Sequence, residues 1–417
     1  MKAMENRERE IAGQHQGASM KKGWPWKPLG EVCKTGSGGT PLSSRKEFYE
    51  GGNIPWLVSG EVAQGNVREA KNFITKAGLE NSAAKLFPKD TVLVAMYGAT
   101  AGQVGILRFE AATNQAVCGI LPNDKFVPEF LFYFLLAKKD DLVAQATGNA
   151  QPNISQIKIK NTEVPVPPLA EQQRIVGLLD EAFEGLATAK ANAEKNLQNA
   201  CTLFESYLQS VFTQRGPGWV EKRLEDVCVI GDGNHSSNYP KKEELVAKGV
   251  PFIRSTNLVD GEISDEDMRF LSPEKHAQLK KGHLKTGDIL FTNRGEIGKT
   301  AIVDAGHEGS NLNSQIAWLR CSETLNNRFL FHVLNSGAIK SHLELSKNGA
   351  ALQQFTIRQI KELKIPIPPK DQQRALVVSL DGLSSETQRL ARLYERKLVA
   401  LEALKRSLLH QAFSGEL

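Results

Sequence analysis

Two long stretches of the chain carry apolar side chains at heptad spacing and contain no proline. The first runs from Ala170 to about Gln214, behind three prolines at 165, 167 and 168, and the second runs from about Asp371 to Ala412. Apolar residues recur by sevens at Leu179, Leu186, Ala193, Ala200 and Tyr207, at Leu197, Phe204 and Val211, at Leu383, Leu390 and Leu404, and at Tyr394, Leu401 and Leu408. This spacing predicts two long coiled-coil helices, the first roughly 65 Å long. Antiparallel packing of the two would set globular domains at opposite ends. Their length argues against the alternative of ordinary core helices in a single α/β protein.

The segment before each helix has a different pattern. Short apolar runs such as TVLVAM at 91–96 and DILFTN at 288–293 are separated by turns rich in glycine, asparagine and serine. Such runs are typical of buried β-strands joined by tight turns. Each long helix is therefore predicted to follow an α/β-mixed globular domain.

The two halves of the chain repeat each other in the same order. GWPWKPLGEVCKTGSGG answers GWVEKRLEDVCVIGDGN, NIPWLVSGEV answers GVPFIRSTNL, FLFYFLLA answers FLFHVLNS, and EVPVPPLAEQQR answers LKIPIPPKDQQR. A repeat of about 200 residues dictates the architecture. The predicted fold class is α+β, with two similar α/β-mixed domains separated by two long antiparallel coiled-coil helices and an internal pseudo-two-fold repeat. The predicted boundaries are a flexible tail at 1–22, domains at 23–168 and 216–369, and helices at 169–215 and 370–417.

Composition adds little beyond exclusions. The chain is 41% hydrophobic and 24% charged with a net charge of +5, which permits nucleic-acid binding without demonstrating it. No run of about 18 apolar residues and no apolar signal region are present, so a cytoplasmic protein with no membrane partner is expected. The five cysteines form no C-x-x-C pair, and the eight histidines form no H-x-x-x-H or H-E-x-x-H spacing, so no metal site is expected.

Catalytic motifs are missing from the sequence. The glycine-rich stretch at 34–41 lacks the lysine of a phosphate-binding loop, and no G-x-S-x-G motif occurs. The double prolines stand in VPPL and IPPK, without the preceding acid or amide and following aromatic residue expected of an adenine methyltransferase. We therefore expect no catalytic residues and no cofactor in this chain.

The polar loops differ between the repeats, although the apolar scaffold is shared. This is the pattern expected of two domains that bind different targets through their loops. Arginine suits guanine, asparagine suits adenine, serine and threonine adapt to either, and glycine lets the backbone approach phosphates. The predicted DNA-binding residues are Ser37, Gly38, Gly39, Thr40, Ser59, Tyr97, Thr100, Asn234, His235, Ser236, Arg254, Ser255, Asn257, Asn293 and Arg294. Two alternatives stay open, namely that Arg254 is a structural ion-pair partner and that the glycines only form hairpins.

The chain closely resembles the specificity (S) subunit of type I restriction-modification systems over residues 23–417. The resemblance rests on the two proline-rich helix starts ending in QQR, on GNAQPNISQIKIKNTEVPVPP before the first, and on LKRSLLHQAFSGEL at the end. It implies two target recognition domains, each reading one half of a split, asymmetric double-stranded DNA site. The second half departs from the pattern, because it lacks the Gln-Pro-Asn found at 151–153.

The resemblance also implies partners. The helices would dock two modification subunits that carry S-adenosylmethionine, and two ATP- and Mg-dependent restriction subunits would join them. The expected docking and spacer residues are Gln172, Arg174, Leu186, Leu197, Phe204, Gln372, Arg374, Leu390, Leu401 and Leu408. The expected function is that of a non-catalytic DNA-specificity subunit. The alternatives are a self-sufficient modification enzyme, which the missing motifs oppose, and a coiled-coil scaffold for binding proteins, which the loop divergence opposes.

Overall fold

The structure, a computed structural model, describes residues 23–146, 153–233, 239–346 and 354–417. The chain forms two compact units. The first unit comprises the chain up to Asn192 together with Lys397–Leu417, and the second comprises Ala193–Arg396. The predicted tail at 1–22 lies outside the described residues.

The first unit is built on three small sheets. Its strands are β1 (Trp26–Pro28), β2 (Thr35–Ser37), β3 (Ile54–Leu57), β4 (Asn66–Val67), β5 (Asn72–Ile74), β6 (Leu86–Phe87), β7 (Val92–Ala95), β8 (Val104–Leu107), β9 (Ala111–Thr113), β10 (Val117–Ile120) and β11 (Glu163–Pro165). They pair in the orders β2-β10-β7-β8-β4, β5-β3-β9-β6 and β1-β11. Strand β3 runs parallel to β9, so the chain crosses between these sheets rather than forming a simple meander.

Helices cover the sheets of the first unit. They are α1 (Leu29–Val32), α2 (Ser59–Val62), α3 (Lys76–Glu80), α4 (Pro128–Ala137), α5 (Lys139–Ala144), α6 (Gln156–Lys160) and the long α7 (Leu169–Gln214). Helix α4 packs on β7 and β8. Its apolar sequence is buried almost all round, with Phe130 and Phe134 fully inaccessible.

The continuous apolar run of β7 is explained by two cores. Val92 and Val94 join the core beneath α4, whereas Leu93 and Ala95 join a second core with Leu57. Side chains alternate between the faces of a strand, so a strand buried on both faces has no polar positions. The predicted strand in TVLVAM is confirmed.

The second unit repeats this plan. Its strands are β12 (Val220–Arg223), β13 (Cys228–Asp232), β14 (Leu245–Val246), β15 (Val250–Ile253), β16 (Leu258–Val259), β17 (Glu262–Ile263), β18 (Arg269–Leu271), β19 (Ile289–Thr292), β20 (Thr300–Ile302), β21 (Asn311–Leu312), β22 (Ile316–Cys321) and β23 (Lys364–Ile367). Its helices, after the end of α7, are α8 (Pro273–Gln278), α9 (Asn327–Leu334), α10 (Gly337–Ser346), α11 (Ile357–Glu362) and α12 (Lys370–Ser414).

Strand order confirms the duplication. The sheet β13-β22-β19-β20 corresponds to β2-β10-β7-β8, β18-β15-β21 corresponds to β5-β3-β9, and β12-β23 corresponds to β1-β11. The parallel pair recurs as β15 with β21. The copies differ at the sheet edges. The first unit has β4 beside β8 and β6 beside β9, whereas the second unit has a separate β16-β17 hairpin and has β14 at the opposite edge, beside β18.

The two long helices are confirmed, with 46 residues in α7 and 45 in α12. Within the first unit they run antiparallel, because Arg174 near the start of α7 donates to the carbonyl of Leu417 and Lys190 pairs with Glu402 at 2.8 Å. Within the second unit, Gln372 near the start of α12 donates to the carbonyl of Pro217, which follows α7, at 3.4 Å. The direction is therefore the same in each unit.

The end of each long helix closes the core of a globular domain. In the first unit, Phe413 of α12 packs edge-on against Phe130 and Phe134. In the second unit, Phe212 of α7 packs edge-on against Phe329. Each domain core is thus completed by the helix that belongs to the other repeat.

Most of the predicted heptad positions are buried or half-buried, but two are not. Tyr207 and Leu404 are 37% and 47% exposed. Near Tyr207 the buried positions are Leu208 and Phe212, because this end of α7 packs against a globular domain. A heptad pattern describes helix-on-helix packing only, so it fails where the helix meets a sheet domain.

A buried glutamine fixes the start of each long helix. In the first unit Nε2 of Gln172 donates to the carbonyls of Lys125 and Pro167, and its Oε1 accepts from the backbone N–H of Val127 at 2.9 Å. In the second unit Gln373 makes the same three bonds, to the carbonyls of Thr324 and Pro368 and from the N–H of Asn326. The two QQR motifs therefore correspond with a shift of one residue.

Candidate nucleic-acid interface

The predicted loops of the first unit meet at one turn, residues 113–117 between β9 and β10, which we call the first central turn. The N–H of Gly39 donates to the carbonyl of Thr113 at 2.9 Å. The N–H of Met96 donates to the carbonyl of Ala116 at 2.8 Å, which brings in the loop that begins at Tyr97. The N–H of Asn114 donates to the carbonyl of Leu57 at the end of β3, which brings in the loop that contains Ser59. The loops that follow β2, β3 and β7, which carry the predicted residues of this unit, therefore all contact this turn.

Several predicted residues of this cluster are accessible. Thr40 is exposed, and its Oγ1 donates to Oε1 of Gln115. Tyr97 is 37% exposed. Ser37, Ser59 and Thr100 are half-buried, and Thr100 donates to the carbonyl of Tyr97 at 3.2 Å. Their contact with DNA stays a prediction.

The two glycines of the cluster are buried instead. A Cβ on Gly38 would lie 2.0 Å from the carbonyl oxygen of Thr113, and one on Gly39 would lie 2.3 Å from the carbonyl carbon of Ala83. These residues are glycines because protein backbone packs directly on them. This burial argues against the predicted phosphate contact and favours the structural alternative.

The second unit has the same arrangement at residues 312–316, the second central turn. The N–H of Asn313 donates to the carbonyl of Ile253 at 2.9 Å, and that of Asn293 donates to the carbonyl of Gln315 at 2.9 Å. Oγ of Ser255 donates to Oε1 of Gln315 at 3.3 Å. The loops after β15 and β19 are thereby joined. The predicted residues Asn234, His235 and Ser236 lie outside the described residues.

Asn257 is a capping residue inside the loop after β15. It is fully buried, its Oδ1 accepts from the N–H of Arg254, and its Nδ2 donates to the carbonyls of Ser264 and Glu266 at 3.1 Å. In the first unit Glu61 occupies the corresponding position and accepts from the N–H of Val58 at 2.8 Å. The predicted adenine contact is opposed by this geometry, because the amide is already satisfied within the loop.

Arg254 forms the ion pair that the sequence left open as an alternative. Its Nη2 lies 2.9 Å from Oδ2 of Asp267 and also donates to the carbonyl of that residue. The hydrogen bond from Arg254, with the nearby charge of Arg269, holds the pKa of Asp267 below its ordinary value. The guanidinium of Arg254 therefore holds the loop to Asp267, and only the rest of the guanidinium is available to another partner.

Three buried polar atoms of this second cluster have no hydrogen-bond partner among the described residues. They are Oδ1 of Asn293, Nε of Arg294 and Nε of Arg254. Buried polar atoms are nearly always satisfied, by protein, water or a ligand. Over the described part of the first unit no such atom occurs. Half of the unsatisfied atoms of the second unit lie where the sequence predicts base contacts, and the others are Nδ1 of His276, Oγ of Ser310 and Nε1 of Trp318.

Tyr97 and Arg294 occupy the same position in the two units. Each begins the loop that follows the corresponding strand, β7 or β19. Each also forms a single antiparallel bridge with the segment before a short helix, Tyr97 with Asn153 and Arg294 with Gln354. The following glycines, Gly98 and Gly295, share φ values of +70° and +72°. One backbone scaffold thus presents an aromatic ring in one unit and a guanidinium in the other.

The sequence patterns missed Gln115 and Gln315, which belong to the central turns. Asn114 and Asn313 carry the signal that would have located these turns. The side-chain carbonyl of each accepts the N–H two residues later, at 3.2 and 3.1 Å, which is the bond of an Asx turn.

The predicted docking residues of the long helices fall into two groups. Leu186, Leu197, Phe204, Leu390, Leu401 and Leu408 are half-buried, Gln172 is buried, and Arg174, Gln372 and Arg374 are exposed. More accessible apolar side chains lie elsewhere on the helices. Val378 and Val399 are 74% and 72% exposed. Among the described residues no helix is both long and apolar enough to cross a membrane.

Repeated sheets that carry two unlike polar loop clusters, with a long helix after each copy, define a class of duplicated recognition proteins. The chain belongs to the family of type I restriction modification DNA specificity domains, whose model matches residues 21–197 and again 217–395.

Curated relatives carry the same description. The chain is 26% identical to the type I restriction enzyme MjaIX specificity subunit of Methanocaldococcus jannaschii, over 84% of each protein. It is 24% identical to the MjaVIII specificity subunit of the same organism, over 96% of this chain and 94% of that protein. It is 21% identical to the EcoKI specificity subunit of Escherichia coli K12, over 95% and 89%.

Solved structures share the fold. A chain from a type I restriction-modification system superposes with a TM-score of 0.77 at 22% identity, covering 95% of this chain and 99% of that chain. The HsdS subunit from Thermoanaerobacter tengcongensis superposes with a TM-score of 0.60 at 22% identity, covering 95% and 98%. These likenesses extend over both units.

Proposed function

We propose that the chain is the DNA-specificity subunit of a type I restriction-modification complex and binds a bipartite, asymmetric double-stranded site. Each domain reads one half-site through the loops around its central turn. The observation that carries the proposal is the contrast between the strand order that the two units share in their sheet centres and their unlike loops. Tyr97 stands where Arg294 stands in the other copy, so the two copies present different chemistry to a base edge.

The partners belong to the same proposal. The exposed apolar side chains of α7 and α12 dock two modification subunits, which supply S-adenosylmethionine, and two restriction subunits supply ATP- and Mg-dependent steps. The specificity chain itself contributes recognition, not catalysis. A cytoplasmic location follows, because the DNA and these partners are there.

The test is methylation of plasmid DNA with labelled S-adenosylmethionine. The purified chain is assayed alone, the modification subunit alone, and then the two together, and the methylated positions are sequenced. We expect methylation at one split sequence with the complex only. Methylation by this chain alone would support the self-sufficient enzyme, and methylation without sequence preference would contradict the recognition role.

Substitutions in the loop cluster of one domain test the assignment of one domain to each half-site. In the full chain, Arg294→Ala together with Asn293→Ala removes two side chains of the second cluster and leaves the loops of the first unit unchanged. Base preference should then weaken in one half-site and persist in the other. Loss of preference in both half-sites would contradict the assignment.

A further inference from the structure

Each central turn holds an exposed glutamine whose side-chain carbonyl is bound by a hydroxyl from a distant element. In the first unit Oγ1 of Thr40 donates to Oε1 of Gln115. In the second unit Oγ of Ser255 donates to Oε1 of Gln315 at 3.3 Å, and Nδ2 of Asn313 donates to the same oxygen at 3.3 Å. Both glutamines are exposed, yet each side chain is held in one orientation.

The two hydroxyl–glutamine pairs do not come from corresponding positions. Backbone bonds match Ala116 with Gln315, since these residues accept from the N–H groups of Met96 and Asn293 in the two units. Gln115 therefore corresponds to Ser314. The hydroxyls also differ in origin, because Thr40 follows β2 and Ser255 follows β15. Duplication alone does not produce the same pair from different positions.

Stability does not account for the pairs either. Ordering a glutamine side chain costs rotamer entropy, and a neutral hydrogen bond at an exposed site returns no more than a comparable amount. A glutamine side chain that is already oriented in the free protein favours binding, because the loss of its rotamer entropy is then not added to the cost of binding. The pairs are therefore better explained by recognition.

The bound carbonyl leaves the amide hydrogens available. Among the described residues Nε2 of Gln115 and Nε2 of Gln315 have no hydrogen-bond partner. An amide donor matches N7 of adenine, N7 and O6 of guanine or O4 of thymine in the major groove, whereas phosphates are better served by charged donors. On this basis, and resting on the proposed function, we propose that Gln115 and Gln315 are specificity-determining residues that each donate to a base edge in the half-site of their own domain.

The experiment replaces each glutamine in the full chain and sequences the methylome of cells that also express the modification subunit. Gln115→Met and Gln315→Met keep the side-chain length and remove the amide. Each should relax one base position in one half-site, with discrimination reduced roughly 5- to 150-fold, and leave the other half-site unchanged. Gln115→Glu and Gln315→Glu, which keep the size and lose the Nε2 donor, should relax the same positions.

Matched controls come from the same units. Gln64 and Gln278 are exposed, and within the described residues their side chains make no hydrogen bond, so Gln64→Met and Gln278→Met should leave the motif intact. Thr40→Val should relax the same position as Gln115→Met, and the double variant should relax it no further, because the hydroxyl acts by holding the glutamine.

Three results would overturn the assignment. An unchanged motif in the glutamine variants would show that neither residue reads a base. Uniformly weaker binding on all sequences, with a shallower salt dependence, would identify phosphate contacts. A wild-type complex without sequence preference would overturn the proposed function itself and the glutamine assignment with it.

Discussion

Gln172 and Gln373 are polar side chains that are buried with hydrogen bonds to both the oxygen and the nitrogen of the amide. Each satisfies one backbone N–H and two carbonyls at the junction between a domain and its long helix. Their neighbours in the QQR motifs, Gln173 and Gln372, are exposed. The motif is thus one buried residue and one surface residue, in opposite order in the two repeats.

Replacement of the buried glutamine by leucine should destabilise its own unit by about 2 to 4 kcal/mol, because three buried backbone groups lose their partners. Gln172→Leu and Gln373→Leu are compared with Gln173→Leu and Gln372→Leu, which should change stability little. Hydrogen exchange measured peptide by peptide reports each unit separately. Equal losses of stability on replacement of the buried and the exposed glutamines would contradict the structural match of Gln172 with Gln373.

Replacement of Arg294 should reduce discrimination at one base position. This residue stands at the start of the loop after β19, and its buried Nε has no hydrogen-bond partner in the part of the chain that the structure describes. Arg294→Ala should cost about 1 to 3 kcal/mol of discrimination and relax one position in one half-site, as loss of a bidentate guanine contact does. Binding of labelled duplexes over a salt series would check this, since a phosphate contact would weaken all duplexes alike.

The limits of sequence reasoning are visible in particular residues. Residue type located the loops, because glycine, serine and asparagine mark turns whatever the tertiary context. It could not separate Asn257, which is buried as a cap, from Thr40, which is exposed, because burial depends on which strands meet there. Gln115 and Gln315 were missed for the same reason, since glutamine has no turn preference of its own.

At the scale of elements, the junction between domain and long helix uses different chemistry in the two units. In the first unit the hydroxyl of Tyr133 donates to Asp180 of α7. In the second unit His332 of α9 contacts Oδ1 of Asp381 of α12 at 2.7 Å, and Arg328 binds the same carboxylate. Burial raises the pKa of Tyr133, so its hydroxyl stays protonated and uncharged over the physiological pH range.

Acid should weaken the junction of the second unit. Burial lowers the pKa of His332, with Asp381 opposing the shift and Arg328 adding to it. Burial would raise the pKa of Asp381, but hydrogen bonds from Arg328 and His332 hold it below its ordinary value. Both groups bind protons less readily when folded. The contribution of His332 to stability is therefore present above a pH of about 6.5 and is lost as the pH falls through its lowered pKa, whereas that of Asp381 persists until the pH falls below about 4.

The loss should not exceed about 1.4 kcal/mol per pH unit for the histidine alone. Hydrogen exchange of α9 at pH 7.5 and 5.5, with exchange rates corrected for pH, measures it. His332→Gln retains a donor for Asp381 and does not titrate, so it should flatten the dependence. An equal dependence in α4 of the first unit would contradict the assignment to His332.

Whole elements were easier to predict than junctions. Helices α7 and α12 follow from heptads and an absence of proline, which are local signals. Their contacts with Phe130 and Phe329 are not local, because the partners Phe413 and Phe212 lie more than 100 positions away in the chain. The heptad pattern consequently assigned Tyr207 and Leu404 to a buried stripe that the structure leaves exposed.

At the scale of the whole molecule, the two units divide both long helices, α7 at Asn192 and α12 at Arg396. Under the proposed function, the length of helix between the domains sets the number of unread base pairs between the half-sites. Four residues inserted after Asn192 and four after Arg396 add about 6 Å to each helix and nearly keep its phase.

The insertion variant should keep both half-site sequences and lengthen the unread gap by one or two base pairs. Two residues inserted at the same points would turn the apolar faces of the helices away from each other. This control variant should therefore lose sequence-specific methylation. Sequencing of methylated sites in cells decides the matter. An unchanged gap, or altered bases within a half-site, would show that the helices do not set the distance.

The closure of the first unit by Lys397–Leu417 has a consequence for biosynthesis. All residues of the second unit, Ala193–Arg396, are synthesised before Phe413. The first unit, by contrast, needs Phe413 to cover Phe130 and Phe134. The usual order, in which the N-terminal domain is completed first during synthesis, is therefore reversed. The nascent first unit keeps an apolar surface uncovered throughout translation of the second, and its exposure to chaperones and proteases ends with the last turns of α12.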